Sequence, residues 1–199
     1  MNTINVEEEK KKLKTGYTTG SSATAASKAA LLSIINQKKI ENVDILLPKK
    51  SYVQIPIYSC EFESNKAKCS VIKNGGDDPD VTHGAEIIVE LSFTKKINEI
   101  EIDGGEGVGI VTKPGLGLEI NKPAINPVPK KMITENLREA GKVVLLEKGI
   151  RIVISVPKGK ELGPKTDNPR LGIVNGISIL GTSGIVIPFS TAAYAASIR

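Results

Sequence analysis

The sequence predicts an α+β domain in which helices pack on one face of a mostly antiparallel, mixed sheet. Short segments with apolar residues at every second position follow one another closely, as half-buried strands do. Two segments have helical periodicity, one beginning near Ala23 and one covering Lys130–Ala140. The regular alternation of strand and helix along a parallel sheet is missing, so a Rossmann-type fold is not expected.

Composition bounds the size of the domain and its class of partner. The 199 residues suit one domain, or one domain and part of a second. Three Phe, four Tyr and no Trp require an aliphatic core and argue against nucleic-acid binding by base stacking. The net charge of +5 favours an anionic partner. The two cysteines lack C-x-x-C spacing, so no metal or redox motif is indicated.

The most apolar segment does not predict a membrane span. Ala23–Ile35 is interrupted by Ser27 and Lys28 and is too short to cross a bilayer. Met1–Lys14 is charged and does not resemble a signal peptide. We therefore expect a cytoplasmic protein without a membrane partner.

An alanine-rich helix is the first element expected. It follows the turn Leu13–Ser22, and its apolar residues on one face are Ala23, Ala26, Ala30, Leu31 and Ile34. A hydroxyl group of Thr18, Thr19 or Ser21 can cap the helix start. The free N–H groups behind this turn form either an anion site or simply the start of a well-capped helix.

Strands are expected at Val43–Leu47 and Tyr52–Tyr58, and a hairpin follows them. A hairpin centred between Ser64 and Asn65 places opposite charges on one face and apolar groups on the other. It pairs Glu63 with Lys66, Phe62 with Ala67, Glu61 with Lys68, and Cys60 with Cys69. The apolar parity shifts after Ile57, which predicts a bulge or bend near Pro56. In a cytosolic setting the facing cysteines are expected to be free thiols.

The segment Asn74–Gly84 (N-G-G-D-D-P-D-V-T-H-G) is predicted to be an acidic loop between strands at Lys68–Lys73 and Ala85–Phe93. It contains Asp77, Asp78, Asp80 and the only histidine, His83. Asp beside Gly and Pro is ordinary turn chemistry, so a purely structural loop is one interpretation. The other is a functional loop, because carboxylates next to a histidine suit proton transfer. The spacing is not that of an EF-hand, and a single histidine without a cysteine pair does not indicate zinc.

The second half of the chain alternates extended and glycine-rich segments. Strands are expected at Asn98–Asp103 and Gly149–Val156, and Pro129 suits the first turn of the Lys130–Ala140 helix. The glycines of Gly104–Glu119 permit close backbone approach to a ligand or form a bulged hairpin. Their spacing fits neither a dinucleotide fingerprint nor a Walker loop.

Four blocks of the sequence together resemble the cobalt-precorrin-5B C1-methyltransferases of the anaerobic cobalamin pathway. They are K-T-G-Y-T-T-G-S (Lys14–Ser21), G-D-D-P-D-V-T-H-G-A (Gly76–Ala85), G-E-G-V-G-I-V-T-K-P-G-L (Gly105–Leu116) with P-A-I-N-P-V-P (Pro123–Pro129), and N-P-R-L-G-I-V-N-G-I-S-I-L-G-T-S-G-I-V (Asn168–Val186). Each block is weak alone, but four in the family's order across nearly the whole chain are specific.

The sequence departs from the family pattern at Ser21–Ala23, at Asn175, and at Gly163-Pro164, which would interrupt a helix. Family members continue into a second, α/β half. The resemblance therefore implies that residues 1–190 form the N-terminal domain and that Thr191–Arg199 begins a helical connection to that half. A Rossmann methyltransferase fold is not expected in this portion.

The resemblance implies methylation of carbon 1 of cobalt-precorrin-5B to cobalt-precorrin-6A, with S-adenosylmethionine as cosubstrate. The anionic corrinoid substrate carries the cobalt, and no protein-bound metal is implied. We assign Asp78, Asp80 and His83 to substrate orientation or proton transfer. The residues assigned to binding the macrocycle or the methyl donor are Thr15, Gly16, Tyr17, Thr18, Thr19, Gly20, Ser21, Gly105, Glu106, Gly107, Gly109, Asn168 and Arg170.

Two other functions are compatible with the sequence. The chain would bind a corrinoid or cofactor without turnover if it is a truncated portion of such an enzyme. A phosphate-handling enzyme would instead use the Gly104–Gly117 segment, although a phosphate-loop lysine pattern is absent. A homo-oligomer is also compatible with the sequence.

Overall fold

The computed structural model describes residues 13–188. Its helices are α1 (Thr19–Asn36), α2 (Pro127–Ala140) and α3 (Gly159–Leu162), with 3₁₀ turns at Val144–Leu146 and Gly163–Lys165. Its strands are β1 (Gly16–Tyr17), β2 (Asn42–Leu46), β3 (Tyr52–Pro56), β4 (Ser59–Phe62), β5 (Lys66–Ile72), β6 (Glu86–Thr94), β7 (Ile100–Gly104), β8 (Ile110–Val111), β9 (Gly149–Ser155), β10 (Ile173–Val174) and β11 (Ile185–Val186).

The central sheet has five strands in the order β4-β5-β6-β9-β7. Only the β7–β9 pairing within it is parallel, and its other pairings are antiparallel. Three two-stranded antiparallel sheets, β2–β3, β1–β11 and β8–β10, surround it. The predicted α+β class with a mostly antiparallel, mixed sheet is confirmed.

The β4–β5 hairpin has the predicted register. Cys60, Glu61 and Phe62 lie opposite Cys69, Lys68 and Ala67, and the Glu63 N–H donates to the Lys66 carbonyl at 2.8 Å. Both cysteines are buried free thiols. The bulge or bend expected near Pro56 is a bend: β3 ends at Pro56, the chain bends at Tyr58, and β4 begins at Ser59 in a different sheet.

Helix α1 lies at the centre of the molecule, between the central sheet and α2. The five apolar residues expected on one face are all buried. Burial extends around the whole helix, because every residue from Thr19 to Ile34 except Leu32 is buried. Because most of its side chains are small, the sheet and α2 pack closely around the helix. The hydroxyl groups inside the helix find partners locally: Ser27 donates to the Ala23 carbonyl at 2.7 Å and Thr24 donates to the Gly20 carbonyl at 2.8 Å.

Helix α2 begins earlier than predicted, at Pro127, where proline suits the first helical turn. Its predicted apolar residues Met132, Ile133 and Leu137 are buried in the core. Asn136 on the same face joins the helix to β2, because its side chain accepts from the Leu46 N–H at 2.9 Å and donates to the Leu46 carbonyl at 3.0 Å.

The strand predicted around Ala85–Phe93 is β6, with Ile87, Val89 and Leu91 buried as expected. Gly163-Pro164 follows the short α3 and forms a 3₁₀ turn, which is the predicted interruption. The helix expected at Thr191–Arg199 lies outside the described residues, so the proposed boundary near residue 190 stays a prediction. Across residues 13–188, every helix is too short or too polar to cross a bilayer.

Candidate functional site

The structure brings the four sequence blocks together in space. We call them the turn segment (Lys14–Ser21), the acidic loop (Asn74–Gly84), the glycine segment (Gly105–Leu116) and the C-terminal segment (Asn168–Val186). The turn segment touches both the acidic loop and the C-terminal segment, and the C-terminal segment touches the glycine segment.

The turn segment and the acidic loop contact each other through their backbones. The Tyr17 N–H donates to the Asn74 carbonyl at 2.7 Å, and the Asp77 N–H donates to the Lys14 carbonyl at 3.0 Å. The Asp77 carboxylate also accepts from the Lys14 N–H at 2.7 Å. A Cβ atom on Gly16 would lie 2.0 Å from the Gly75 carbonyl carbon, so only glycine fits at this contact.

The C-terminal segment covers the start of α1. Thr18 is the N-cap and accepts from the Ser21 N–H at 3.1 Å. The Gly20 N–H donates to the Leu180 carbonyl at 3.0 Å, and the Ser21 hydroxyl donates to the Gly184 carbonyl at 2.6 Å. The N–H groups of Gly20 and Ser21 therefore have partners within the chain, which agrees with a well-capped helix, one of the two interpretations that the sequence left open. A ligand contact by Thr15–Ser21 stays a prediction.

The acidic loop is closed at its base and anchored inside. At the base, the Lys73 N–H donates to the Ala85 carbonyl and the Gly84 N–H donates to the Lys73 carbonyl, both at 2.8 Å. Inside, the Lys73 ammonium lies 2.7 Å from Asp80 Oδ2, with only 1% of the lysine side chain exposed. The N–H and hydroxyl groups of Thr82 donate to Asp80 Oδ1 at 2.8 and 2.7 Å.

These contacts decide the charge state of Asp80. Burial by itself raises the pKa of this carboxyl, but the hydrogen bonds from Lys73 and Thr82 and the lysine charge hold it below its usual value. Asp80 is therefore an ionised acceptor near neutral pH. A carboxylate of this kind is a weak base, so the geometry favours an orienting role over proton transfer.

His83 is exposed and is tied to the start of the same loop. Its Nδ1 accepts from the Gly75 N–H at 3.1 Å, and its own backbone N–H donates to the Asp80 carbonyl at 2.9 Å. Since Nδ1 accepts a hydrogen bond, the proton of the neutral ring lies on Nε2. This leaves Nε2–H as the ring's donor.

An open cleft of about 630 Å³ lies between the acidic loop and the start of the C-terminal segment. Asp78, Asp80 and Val81 form one wall. The other wall consists of Pro164, Lys165, Thr166, Asp167, Pro169 and Arg170. Three residues singled out from the sequence, Asp78, Asp80 and Arg170, therefore meet at one cleft. Asp78 and Asp80 stand on one side. Lys165 and Arg170 stand on the other, together with Asp167, whose carboxylate lies 3.9 Å from the Arg170 guanidinium.

The other predicted residues lie elsewhere and have partners within the chain. A Cβ atom on Gly107 would lie 1.9 Å from the Val156 carbonyl oxygen, and the Gly109 N–H donates to the Ile177 carbonyl at 2.8 Å. Gly105 is equally crowded, with Ser155 Oγ 2.4 Å from a Cβ atom there. Glu106 is exposed, 3.5 Å from the Lys160 ammonium. The glycine segment therefore packs closely against other parts of the chain. Ligand contacts by these residues stay predictions.

Asn168 is buried at the base of the C-terminal segment. Its amide donates to the Gly176 carbonyl at 2.9 Å and accepts from the Ser178 hydroxyl at 3.0 Å. Arg170, two residues later, has 88% of its side chain exposed at the cleft. Two residues of one motif thus differ sharply in accessibility.

Sequence reasoning missed Lys73 and Lys165. Lys73 could have been found from its position in the sequence. It directly follows β5 and continues the alternating buried positions Cys69 and Val71. A lysine on the buried face of a strand requires a carboxylate partner. Lys165 had no comparable signal, since a surface lysine after a proline is ordinary.

Within residues 13–188, no cluster of three or more His, Cys, Asp or Glu side chains is arranged to hold a metal ion. The cleft itself presents ionic and hydrogen-bonding groups. Comparison with known proteins gives this arrangement a context. A family model described as CbiD matches residues 6–188.

The chain belongs to the CbiD family. It is 52% identical over 193 residues to a cobalt-precorrin-5B C(1)-methyltransferase of Priestia megaterium, covering 97% of this chain and 52% of that protein. It is 53% identical over 191 residues to the protein of the same name from Geobacillus kaustophilus, covering 96% of this chain and 51% of that protein. The chain thus spans about half the length of the curated relatives it matches.

A crystal structure agrees with the fold. The cobalamin biosynthesis protein CbiD of Archaeoglobus fulgidus aligns with a TM-score of 0.69 and 34% identity, over 94% of this chain and 58% of that one. The recognition made from four CbiD sequence blocks is confirmed.

Proposed function

We propose that this CbiD chain is the substrate-orienting portion of a methyltransferase that converts cobalt-precorrin-5B to cobalt-precorrin-6A, with S-adenosylmethionine as the methyl donor. The observation that carries the proposal is the cleft at which the acidic loop faces Lys165 and Arg170. Its support is the printed name of relatives that are about half identical to the chain.

The reaction makes modest demands on the protein. A ring carbon attacks the methyl group of the sulfonium donor, the carbon–sulfur bond breaks, and the thioether leaves with its electron pair. A proton is then lost from the macrocycle. Since the methyl group is already activated, alignment of the two reactants and exclusion of water supply most of the rate acceleration. A base is needed only for the departing proton.

The cleft supplies the orienting groups. Lys165 and Arg170 present positive charge to the carboxylates of a corrinoid, and a guanidinium can hold a carboxylate through two hydrogen bonds. The cobalt arrives with the substrate. Asp80 is held ionised by Lys73 and orients the ring. His83, whose Nδ1 is bonded to the Gly75 N–H, donates through Nε2–H, and Asp78 at the cleft wall accepts the departing proton. The protein acts in the cytoplasm.

A titration tests corrinoid binding by the 199-residue chain. The probe is a cobalt corrinoid with free carboxylates, followed by its visible absorption. Arg170→Ala should weaken binding about tenfold, the effect of losing one charge-assisted hydrogen bond of about 1.4 kcal/mol. Arg151→Ala is the matched control, because Arg151 also lies beside a carboxylate (Asp103 at 3.6 Å, as Asp167 lies 3.9 Å from Arg170) but does not line the cleft. Equal affinity of both variants would refute the assignment.

A second experiment tests the methyl donor. Thermal unfolding is measured with and without S-adenosylhomocysteine, which at 100 times its dissociation constant adds about 2.7 kcal/mol. For a chain of this size that is a rise of several degrees in Tm. A cooperative transition without a shift would refute a donor site in this chain and favour the alternative of a corrinoid-binding portion without catalysis.

A further inference from the structure

We propose that Lys73 is a positioning residue, which fixes the acidic loop as one wall of the cleft through its buried ion pair with Asp80. The inference rests on the proposed function of that cleft and adds a positional role for Lys73, which the proposal uses only to keep Asp80 ionised.

The lysine side chain has little reason to be buried except for this contact. Only 1% of it is exposed, and its ammonium lies 2.7 Å from Asp80 Oδ2. A buried ammonium is strongly unfavourable unless a carboxylate compensates it. A buried ion pair is often no more stabilising than an apolar pair of similar volume, and its documented use is to specify one arrangement. The structure places that arrangement at the cleft.

The pair links a rigid element to a loop. Lys73 directly follows β5, and its backbone is paired with Gly84 and Ala85 at the base of the loop. Asp80 stands seven residues later, at the cleft wall. The ammonium therefore ties the far side of the loop to the end of the central sheet.

Asp80 in turn holds Thr82 and His83 in place through hydrogen bonds. Its carboxylate accepts from the N–H and hydroxyl groups of Thr82, and its carbonyl accepts from the His83 N–H. Loss of the lysine charge would release Asp80, and Thr82 and His83 with it. The geometry of the wall, including Asp78, depends on one buried ammonium.

A second buried lysine provides a matched control. Lys28 on α1 lies 2.8 Å from Glu139 Oε2 on α2, with 10% of its side chain exposed. This pair joins two helices, and neither residue lines the cleft. Lys28→Met and Lys73→Met thus make the same chemical change in the same kind of pair, but only the second acts on the acidic loop.

The test is the corrinoid titration, made with wild type, Lys73→Met, Lys28→Met, Asp80→Asn and the double variant Lys73→Met/Asp80→Asn. Lys73→Met should weaken binding about tenfold, because a released loop no longer holds its polar groups in one arrangement before the corrinoid binds. Lys28→Met should bind like wild type. In the Asp80→Asn background, Lys73→Met should change affinity less than about twofold, since the lysine acts through Asp80.

Hydrogen exchange gives an independent readout of position. In Lys73→Met, the N–H groups of Thr82, His83 and Gly84 should lose protection while those of β6 and β9 keep it. Uniform loss of protection would mean that the substitution only destabilises the fold, and would overturn the inference.

The outcomes separate the two proposals. If wild type binds the corrinoid and Lys73→Met binds it equally well, the inference is overturned and the proposed function stands. No binding by wild type overturns the proposed function, and the inference falls with it. If Lys73→Met does not fold, the double variant replaces it, because it leaves no uncompensated buried charge. A double variant that binds like wild type then overturns the inference.

Discussion

Replacing Asn168 by alanine should destabilise the fold, although the residue belongs to a motif that points to binding. The amide of Asn168 is buried, donates to the Gly176 carbonyl at 2.9 Å and accepts from the Ser178 hydroxyl at 3.0 Å. These contacts hold together the turn that leads from the cleft to the packed glycines at Gly107 and Gly176.

The magnitude follows from the groups left without a partner. A buried polar group that loses its hydrogen bond costs about 1–3 kcal/mol. The Ser178 hydroxyl can rotate to another acceptor, but the Gly176 carbonyl cannot, and the removed amide also leaves a small cavity. We expect a loss of about 2–3 kcal/mol in the free energy of unfolding, which corresponds to about 4–12 °C in Tm at this chain length.

Urea denaturation followed by circular dichroism measures the change. Asn168→Asp separates shape from hydrogen bonding, because it keeps the volume but sets a carboxylate oxygen against the Gly176 carbonyl. It should be at least as destabilising as alanine. Arg170→Ala is the matched control from the same motif: with 88% of its side chain exposed, it should change stability by less than about 0.5 kcal/mol.

Two results would contradict this reasoning. An Asn168→Ala variant as stable as wild type would mean that the two hydrogen bonds do not hold the turn. An Asn168→Asp variant as stable as wild type would mean that the amide donor is not needed. Either result would return Asn168 to the group of ligand-binding candidates.

Two further predictions concern the acidic loop. Gly16→Ala should lower the free energy of unfolding by about 1–3 kcal/mol in urea denaturation, because its Cβ atom would lie 2.0 Å from the Gly75 carbonyl carbon. Thr15→Ala, at an exposed neighbouring residue, is the control. Equal denaturation midpoints for Gly16→Ala and wild type would refute the contact. Because the pKa of Asp80 is lower in the folded chain than its usual value, its stabilising contribution is complete above that usual value and is lost as the pH falls through the lowered one. Wild type should therefore lose more stability on acidification than Asp80→Asn does, and parallel pH profiles would contradict this assignment.

The sequence predicted those parts of the fold that depend on neighbours along the chain. The β4–β5 register followed from pairing Glu61 with Lys68 and Phe62 with Ala67, all within one hairpin. The buried positions of β6 followed from period-two spacing. The fixed backbone angle of proline indicated a helix start at Pro129, close to the observed start at Pro127.

Contacts between distant segments were beyond the sequence. The glycines of Gly104–Glu119 indicated close approach but not what approaches, and at Gly107 the neighbour is the chain's own backbone at Val156. The contact of Gly16 with Gly75 was not predicted. Helical periodicity predicted where α1 lies in the sequence. It did not predict how many other elements pack against the helix. At the site, Asp78, Asp80 and Arg170 were singled out from their chemistry, yet their meeting at one cleft depends on residues about ninety positions apart in the chain.

The capping of α1 by the C-terminal segment has a consequence for synthesis. The hydrogen bond between Ser21 and Gly184 joins residues that are 163 positions apart. At ribosomal rates of about 5–20 residues per second, the start of the helix emerges about 8–30 s before the segment that covers it. During that interval the amino end of α1 lacks the C-terminal segment that covers it in the folded chain. The nascent chain therefore passes through a stage in which chaperones and proteases can reach a helix that the finished molecule hides.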